Sequence, residues 1–265
     1  METLKVIYED KDLLVCFKPA GVPTQTAALG IPDMVSLVKS YLVQQGSLRD
    51  PYLGLIHRLD QPVSGLLVFA KNKQAASLQL KGKHYYALCL GQTGEKEGVL
   101  KHLMWKNPKT NKAEIVEENR QSIEEEKSVV TAKGKNRKGQ KDDAQIKEAV
   151  LSYQVKEQRQ DCVLLQVSLQ TGRFHQIRAQ FSHIGHPLLG DLKYGSEESK
   201  RVSLQKQIKT IALCAYQISF LHPKTKKEMN VQIPRELLPF WISAALVSES
   251  QIDPETIGSR KSEIE

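Results

Sequence analysis

Strand-like segments recur along the chain without the regular alternation of strand and helix that a doubly wound parallel sheet requires. The opening LKVIYEDKDLLVCF alternates apolar and polar residues on either side of a charged break, which predicts a hairpin. Further runs of apolar, β-branched and aromatic residues predict strands at 66–70, 85–90, 98–104, 148–156, 162–169, 211–220 and 229–233. The pattern therefore predicts an α+β fold, with a mixed, largely antiparallel sheet and flanking helices.

Helical periodicity is confined to a few short segments. MVSLVKSYLVQQ repeats apolar residues at helical spacing, with Asp33 as the expected N-cap and Gly46 just beyond the end. The same spacing predicts a helix in KQAASLQLKG after Asn72, another from about Arg173, and a short one opened by Pro234. These helices are too few to alternate with the strands, which again favours an α+β fold.

Two segments differ in composition from the rest of the chain. Residues 117–147 are almost entirely charged and polar, so they cannot bury enough apolar surface to offset the entropy lost on ordering, and a mobile insertion is expected there. The polar residues 248–265 are expected to form a disordered tail. The remaining sequence, within 1–247, is long enough for one domain with a substantial core.

The chain carries no long apolar run, and its N-terminus is charged from the second residue. These features argue against a membrane span and a secretory signal and predict a cytoplasmic protein. The lack of a heptad pattern or a long apolar stripe favours a monomer. Apolar neighbours in predicted strands indicate buried thiols, with neither disulfides nor a structural metal, at Cys16, Cys89, Cys162 and Cys214.

Lysine and arginine outnumber the acidic residues, which gives a formal net charge of +8. A basic chain favours a polyanionic partner, because its side chains release the counterions condensed on nucleic-acid phosphates. Part of the excess lies in KGKNRKGQK at 133–141, which is typical of a solvated loop, so charge alone does not establish an RNA partner. Neither G-x-G-x-x-G nor a complete phosphate-binding loop is present, so nothing in the sequence supports a nucleotide cofactor.

Residues 57–65 read HRLDQPVSG and lead straight into the apolar run LLVFA. Pro62 and Gly65 after Asp60 indicate a sharp turn at the mouth of a buried strand. Asp60 could simply cap this turn, with Arg58 as a surface ion pair, or it could be held there for chemistry. This stretch alone supports the two interpretations equally.

The stretch KHYYALCL at 83–90 places two tyrosines in a predicted strand. Because side chains alternate between the faces of a strand, Tyr85 and Tyr86 point in opposite directions. One tyrosine can join the core while the other lines a cleft, although both would also be ordinary strand formers.

The stretch TGRFHQIRAQFSHIGHPLLGDLKYG at 171–195 is the densest in polar residues. On a helix that begins near residue 173, Phe174, Ile177 and Phe181 share one buried face, and Arg178 projects from its edge. An arginine held there can favour the ionised form of a nearby carboxylate and orient it through two parallel hydrogen bonds.

Three histidines of the same stretch could suggest a metal site. However, His175, His183 and His186 lack the i, i+4 spacing that places two imidazoles on one helical face, and no acidic residue lies between the last two. The sequence therefore predicts no metal in this stretch.

Taken together, these stretches resemble the successive motifs of the RluA-type pseudouridine synthases. The motifs match in order and spacing from about residue 4 to residue 234. They are K-P-A-G at 18–21, H-R-L-D with S-G at 57–65, K-x-Y-x-A at 83–87, G-R-x-H-Q-I-R at 172–178, I-G-x-P at 184–187 and G-D at 190–191.

The resemblance implies an enzyme that isomerises specific uridines of structured ribosomal or transfer RNA to pseudouridine, without a metal or an organic cofactor. It also implies a catalytic domain at 1–247 with a central basic active-site cleft, into which the target base is flipped. The catalytic aspartate, the active-site tyrosine and the aspartate-pairing arginine of the family correspond to Asp60, Tyr85 and Arg178. The positions expected to bind the RNA correspond to His57, Arg58, Arg173, His175 and Gln176.

The implied roles suit the reaction, which breaks the N1 to C1′ bond of uridine, turns the base and joins C5 to C1′. Asp60 can act as a nucleophile toward the sugar or as a base at the sugar ring, and the sequence leaves both routes open. Tyr85 offers an aromatic face for the detached base and could also help to remove the proton from C5. Two alternatives remain: an inactive RNA-binding protein or RNA chaperone on the same fold, and a nucleoside hydrolase, which would need a second carboxylate or an activated water.

Four positions depart from the usual family pattern, none of them at the implied catalytic residues: Phe17, Val63, Gln180 and Cys214. Differences of this kind bear on the choice of RNA rather than on activity. The sequence starts at the first strand of the catalytic domain, so target selection is expected to come from this domain and its insertion, rather than from a preceding S4-like domain.

Overall fold

The computed structural model describes residues 4–26, 30–47, 49–116 and 145–246. Within them, eleven strands belong to one sheet. The strands are β1 Lys5–Glu9, β2 Leu13–Lys18, β3 Gly54–Leu55, β4 Ser64–Ala70, β5 Leu80–Leu90, β6 Glu97–Asn107, β7 Lys112–Val116, β8 Lys147–Gln158, β9 Cys162–Leu169, β10 Leu213–Leu221 and β11 Glu228–Gln232. The helices are α1 Met34–Gln44, α2 Gln176–His183, α3 Glu197–Gln205 and α4 Phe240–Leu246, with 3-10 turns at Ala75–Ser77 and Arg235–Leu237.

The main path of the sheet runs β1-β2-β4-β10-β5-β9-β8-β6-β7, with β3 added to β4 and β11 added to β10. Neighbouring strands are antiparallel except for the short parallel pair of β4 and β10. The predicted mixed, largely antiparallel sheet of an α+β protein is therefore confirmed.

Both faces of the sheet are covered, because the buried strands send alternate side chains to opposite sides. On one face, residues such as Leu66 and Val68 pack with Val202 of α3 and Trp241 of α4. On the other face, Leu67 and Phe69 of β4 belong to a second core, which α1 and α2 cover with Met34, Val38, Leu42, Ile177 and Phe181. Helix α2, which begins at the Q-I-R of the G-R-x-H-Q-I-R motif, is thus held against the second face. The four cysteines are buried thiols, as predicted.

The sequence located most elements, but it was wrong about KQAASLQLKG. Only one 3-10 turn forms there, at Ala75–Ser77, and β5 already begins at Leu80. The reason is tertiary, since Leu80 continues the antiparallel ladder with Phe220 of β10, and strand pairing overrides the local helical pattern. Helix α3 and strand β7 were not predicted.

Helix α1 follows the predicted signals. Asp33 is its N-cap, and its carboxylate accepts a hydrogen bond of 2.7 Å from the backbone N–H of Ser36. In return, the Ser36 hydroxyl accepts the backbone N–H of Asp33 at 3.1 Å. Gly46 lies just past the end with φ +88°, the left-handed conformation that favours glycine.

Most of the predicted insertion, 117–144, and the tail from 247 lie outside the described residues, so both stay predictions. Of the insertion as predicted, residues 145–147 are described, and Lys147 already begins β8. Among the helices of the described ranges, none is long and apolar enough to cross a membrane.

Candidate active site

A cavity of about 810 Å³ opens between the H-R-L-D turn, β5 and the start of α2. All eight residues that the resemblance implied line it: His57, Arg58, Asp60, Tyr85, Arg173, His175, Gln176 and Arg178. The wall also carries Lys83 and Lys106, and Asp60 is the only carboxylate among the described residues that line it. The cavity therefore presents one anionic group surrounded by cations.

Asp60 is held by a tight turn and by a buried lysine beneath it. The Asp60 carbonyl accepts the N–H of Val63 at 3.0 Å, which closes the predicted turn. The Lys18 ammonium is fully buried and donates to the carbonyls of Pro19, Val22 and Gln61 at 2.7 to 3.0 Å. Burial lowers the pKa of Lys18 to about 8, against the opposing effect of the Asp60 charge. The lysine of K-P-A-G thus fixes the backbone next to Asp60.

A glycine allows β4, the strand that follows this turn, to pack closely against β10. Gly65 has φ +138°, and a Cβ on it would lie 2.5 Å from the backbone nitrogen of Ala215. Only glycine lets β4 approach β10 this closely, where Gly65 pairs with Ala215. Val63, one of the departures from the family pattern, packs in the second core, which explains why an apolar side chain is accepted there.

Arg178 connects Asp60 to a second aspartate that the sequence had not assigned a role. Its Nε and Nη2 donate to the two oxygens of Asp191 at 2.7 and 2.8 Å, whereas its Nη1 reaches Asp60 Oδ2 at 3.3 Å. Burial alone would raise the pKa of Asp191, but the hydrogen bonds and charge of Arg178 lower it. The stronger partner of Arg178 is therefore Asp191, which keeps the guanidinium in a fixed plane beside Asp60.

His175 is the second side chain that lies close to the Asp60 carboxylate. It precedes α2 in the left-handed conformation, with φ +52°, and its Nε2 lies 3.4 Å from Asp60 Oδ2. On the opposite side, its Nδ1 lies 2.8 Å from the hydroxyl of Tyr194. Burial is the main reason that the pKa of His175 is lowered to about 4, so the imidazole is neutral near pH 7.

The hydrogen bonds of Tyr194 indicate which nitrogen of His175 carries the proton. The Tyr194 oxygen accepts the backbone N–H of Ala113 at 2.6 Å, and its own hydrogen needs an acceptor. His175 Nδ1 is that acceptor, which leaves the proton on Nε2, facing the carboxylate of Asp60. The other tautomer would leave the tyrosine hydrogen without a partner and turn a lone pair toward an anion.

Tyr194→Phe tests this assignment, because it removes the hydroxyl and keeps the ring that packs against His175 and Arg178. Loss of a buried hydrogen bond of about 1 kcal/mol should let the Nδ1–H form of His175 increase about five-fold. The ¹⁵N chemical shifts of the labelled ring report the two tautomers directly. Tyr153→Phe is the control, and an unchanged His175 spectrum in Tyr194→Phe would contradict the assignment.

Tyr85 lies at the floor of the cavity, on β5. It is buried within the second core, whereas Tyr86 on the opposite face stacks on Tyr216 with ring centroids 4.1 Å apart. The prediction that the two tyrosines point to opposite faces is confirmed. Burial, and then the charge of Asp60, raise the pKa of Tyr85 well above its usual value, so its phenol is neutral.

The remaining predicted residues surround this floor. The Nε2 atom of His57 is buried without a hydrogen-bond partner, and burial followed by the charge of Lys83 lowers the pKa of His57 to about 3. Gln176 braces the loop before α2, where its Oε1 accepts from the Thr171 hydroxyl and the Arg173 N–H at 2.9 and 3.0 Å. His57 Nε2 and Gln176 Nε2 are thus buried polar atoms without a hydrogen-bond partner, in two residues that line the cavity.

The described residues contain one group with metal-like spacing, Asp10, Asp12 and His222, and none of the three lines the cavity. His222 Nε2 lies 2.7 Å from Asp10 Oδ2, and its Nδ1 accepts the N–H groups of Lys224 and Thr225. These hydrogen bonds account for the cluster without an ion.

Comparison with known proteins agrees with this site. Residues 12–183 match the model of the RNA pseudouridylate synthase family. The "uncharacterized RNA pseudouridine synthase YlyB" of Bacillus subtilis (strain 168) is 32% identical over 245 residues, covering 87% of this chain and 69% of that protein. The "ribosomal large subunit pseudouridine synthase D" of Pseudomonas aeruginosa is 31% identical over 258 residues, covering 92% and 72%.

A solved structure, human RNA pseudouridylate synthase domain containing 4, superimposes with a TM-score of 0.65 at 22% identity and 92% coverage of both chains, which supports the fold. The fold and the matched sequence define an RNA-modifying isomerase. The chain belongs to the RNA pseudouridylate synthase family, in its RluA-type branch, and is an RNA pseudouridine synthase.

Proposed function

We propose that this protein converts uridine in large-subunit ribosomal RNA to pseudouridine, with Asp60 as the reacting group. The observation that carries the proposal is Asp60, the one carboxylate among the described lining residues, which lies 3.3 Å from Arg178 and 3.4 Å from His175 among the cationic side chains of the wall. The ribosomal target is supported by a relative that is named a ribosomal large subunit pseudouridine synthase. The cations suit a phosphate backbone that delivers the flipped base to the cavity.

Asp60 can promote the reaction by either of two routes. As a nucleophile, it forms an ester with C1′ while N1 leaves with the bonding pair, and C5 of the turned base then displaces the carboxylate. As a base, it removes a sugar proton while N1 leaves and returns that proton after C5 has added. In both routes C5 loses its proton and N1 gains one. Both need the carboxylate oriented, which Arg178 and His175 do.

Tyr85 serves as a stacking surface for the detached uracil. An aromatic floor can hold a base while it turns, because stacking does not depend on the base's hydrogen-bonding edge. The raised pKa of Tyr85 keeps the phenol protonated, so it is poorly suited to remove the proton from C5. The stacking role is therefore better supported than the proton-transfer role.

The alternatives are less well supported. An RNA-binding protein without activity would have no need for a carboxylate that is fixed at the centre of a basic cavity, where it repels phosphate. A hydrolase with paired acids needs a second carboxylate within about 10 Å, and among the described lining residues Asp60 has no such companion.

The proposal is tested by the release of tritium from RNA labelled at uracil C5, followed by mapping of pseudouridine in RNA from cells that lack the protein. We expect tritium release from large-subunit ribosomal RNA and loss of discrete pseudouridines in the deletion strain. No release from any fraction of total RNA would refute the enzyme assignment. Free uracil would indicate a hydrolase, and release only from transfer RNA would refute the ribosomal target.

A further inference from the structure

A second cavity of about 230 Å³ lies beside the first, and the two share a wall of four residues: Lys106, Gly172, Arg173 and Phe174. The rest of its lining comes from β6, with Met104 and Trp105, from Ala113, and from Gln145 and Lys147 at the start of β8. Its volume is below the range of pockets for drug-sized ligands, but it suits a single nucleobase.

The topology explains why a cavity exists at this position. Strand β8 begins at Lys147, opposite Met104, while β6 continues to Asn107. Beyond Met104, β6 is paired only with β7 among the described residues. The early end of the β6–β8 ladder leaves a notch next to the loop that carries Arg173.

Phe174 is the residue that the sequence placed wrongly. It was expected in the core, but α2 begins only at Gln176, and the Phe174 side chain is 37% exposed between the two cavities. Its ring stacks on His175 with centroids 3.7 Å apart, and the Lys106 ammonium lies 5.1 Å from its centroid. An exposed aromatic ring beside cations is typical of proteins that stack nucleic-acid bases.

The lining combines the two features that a single-stranded nucleic acid needs. Lys106, Lys147 and Arg173 supply positive charge, and no carboxylate occurs among the described residues of this lining. Phe174 and Trp105 supply aromatic surface, and the amide of Gln145 supplies hydrogen-bonding groups. Since four residues line both cavities, neighbouring nucleotides of one strand can occupy the two.

We propose that the second cavity binds the base of a nucleotide adjacent to the target uridine, stacked against Phe174, with the backbone phosphates at Lys106, Lys147 and Arg173. This inference rests on the proposed function, because it continues the RNA strand out of the first cavity. Since Phe174 also packs on His175, an occupied second cavity holds in place the imidazole that faces Asp60.

The test compares two probes of equal charge, UpUpU and the same trinucleotide with an abasic central residue, which has no two adjacent bases. Trp105 and Trp241 are the only tryptophans of the chain, so Trp241→Phe isolates the emission of Trp105. We expect UpUpU to quench this emission and to bind at least about ten-fold more tightly than the abasic probe.

The matched variants locate the effect. Phe174→Leu should bind both probes with equal affinity. Phe240→Leu, which changes an exposed aromatic side chain on α4, should keep the difference in affinity between the two probes. Lys147→Gln should lower the slope of log affinity against log salt by about 1, and Lys224→Gln, which lines neither cavity, should not.

Equal binding of the two probes by wild type, or an undiminished difference in Phe174→Leu, would overturn the proposal. These readouts are independent of turnover. If tritium release is absent while the Phe174-dependent difference remains, the proposed function fails and the second cavity stands as an RNA subsite. If release is normal and the difference is missing, the subsite alone fails.

Discussion

Asp60→Asn is expected to lower tritium release from C5-labelled RNA by at least about 1,000-fold, since an amide is neither a nucleophile toward C1′ nor a base. The substitution keeps the shape of the side chain and the turn that Lys18 supports. It also removes the only negative charge among the described lining residues, so RNA should bind as tightly as before or more tightly. Turnover should therefore fall without a loss of RNA affinity.

Asp50→Asn is the matched control, because Asp50 is an exposed aspartate that pairs with Lys39 on the surface. It should leave both turnover and RNA affinity unchanged. If Asp60→Asn retains a tenth or more of the wild-type release, Asp60 is not the reacting group. If release and RNA binding fall together, the carboxylate acts in folding or binding instead.

Arg178→Met is expected to abolish activity and to destabilise the fold by about 3–5 kcal/mol, because it leaves Asp191 buried without its partner. For a domain of this size, that corresponds to a melting temperature lower by about 10 °C. Thermal unfolding and tritium release measure the two effects separately.

The double variant Arg178→Met, Asp191→Asn separates stability from orientation. The amide oxygen that the second substitution introduces can still accept the N–H groups of Lys193 and Tyr194, so most of the lost stability should return. Activity should stay low, since nothing then orients Asp60 from that side. Arg201→Met, at an exposed pair with Glu198, should leave the melting temperature unchanged. A double variant with wild-type turnover would refute the orienting role of Arg178.

The sequence located the strands and the eight residues that meet in the cavity, because the relevant motifs are long and local. The H-R-L-D turn alone left the role of Asp60 open, and the roles of Asp60 and Arg178 came from the resemblance of the H-R-L-D and G-R-x-H-Q-I-R motifs. The sequence could not show that Arg178 prefers Asp191, which lies 13 residues away and meets it only through folding. The G-D motif at 190–191 was visible, but its partner was not.

Two other features were hidden for different physical reasons. Tyr194 sets the tautomer of His175 only because β7 brings the N–H of Ala113 to its hydroxyl across 81 residues of chain. Phe174 is exposed because it precedes α2. The helix begins only at Gln176, after His175 in the left-handed conformation. Neither a long-range hydrogen bond nor the first residue of a helix can be read reliably from local pattern.

Asp60 and Arg178 are 118 residues apart in the chain and meet only after the central strands have paired. Asp60, Tyr85 and Lys18 come from residues 4–116, while His175, Arg178 and Asp191 come from residues 145–246. Contacts of such long range form slowly, because the chain loses loop-closure entropy before the contacts can stabilise it. Neither half of the chain can assemble the cavity by itself. A nascent or partly folded molecule would attract RNA through its charge before it could isomerise a base. Isomerisation is therefore a better measure of completed folding than RNA binding.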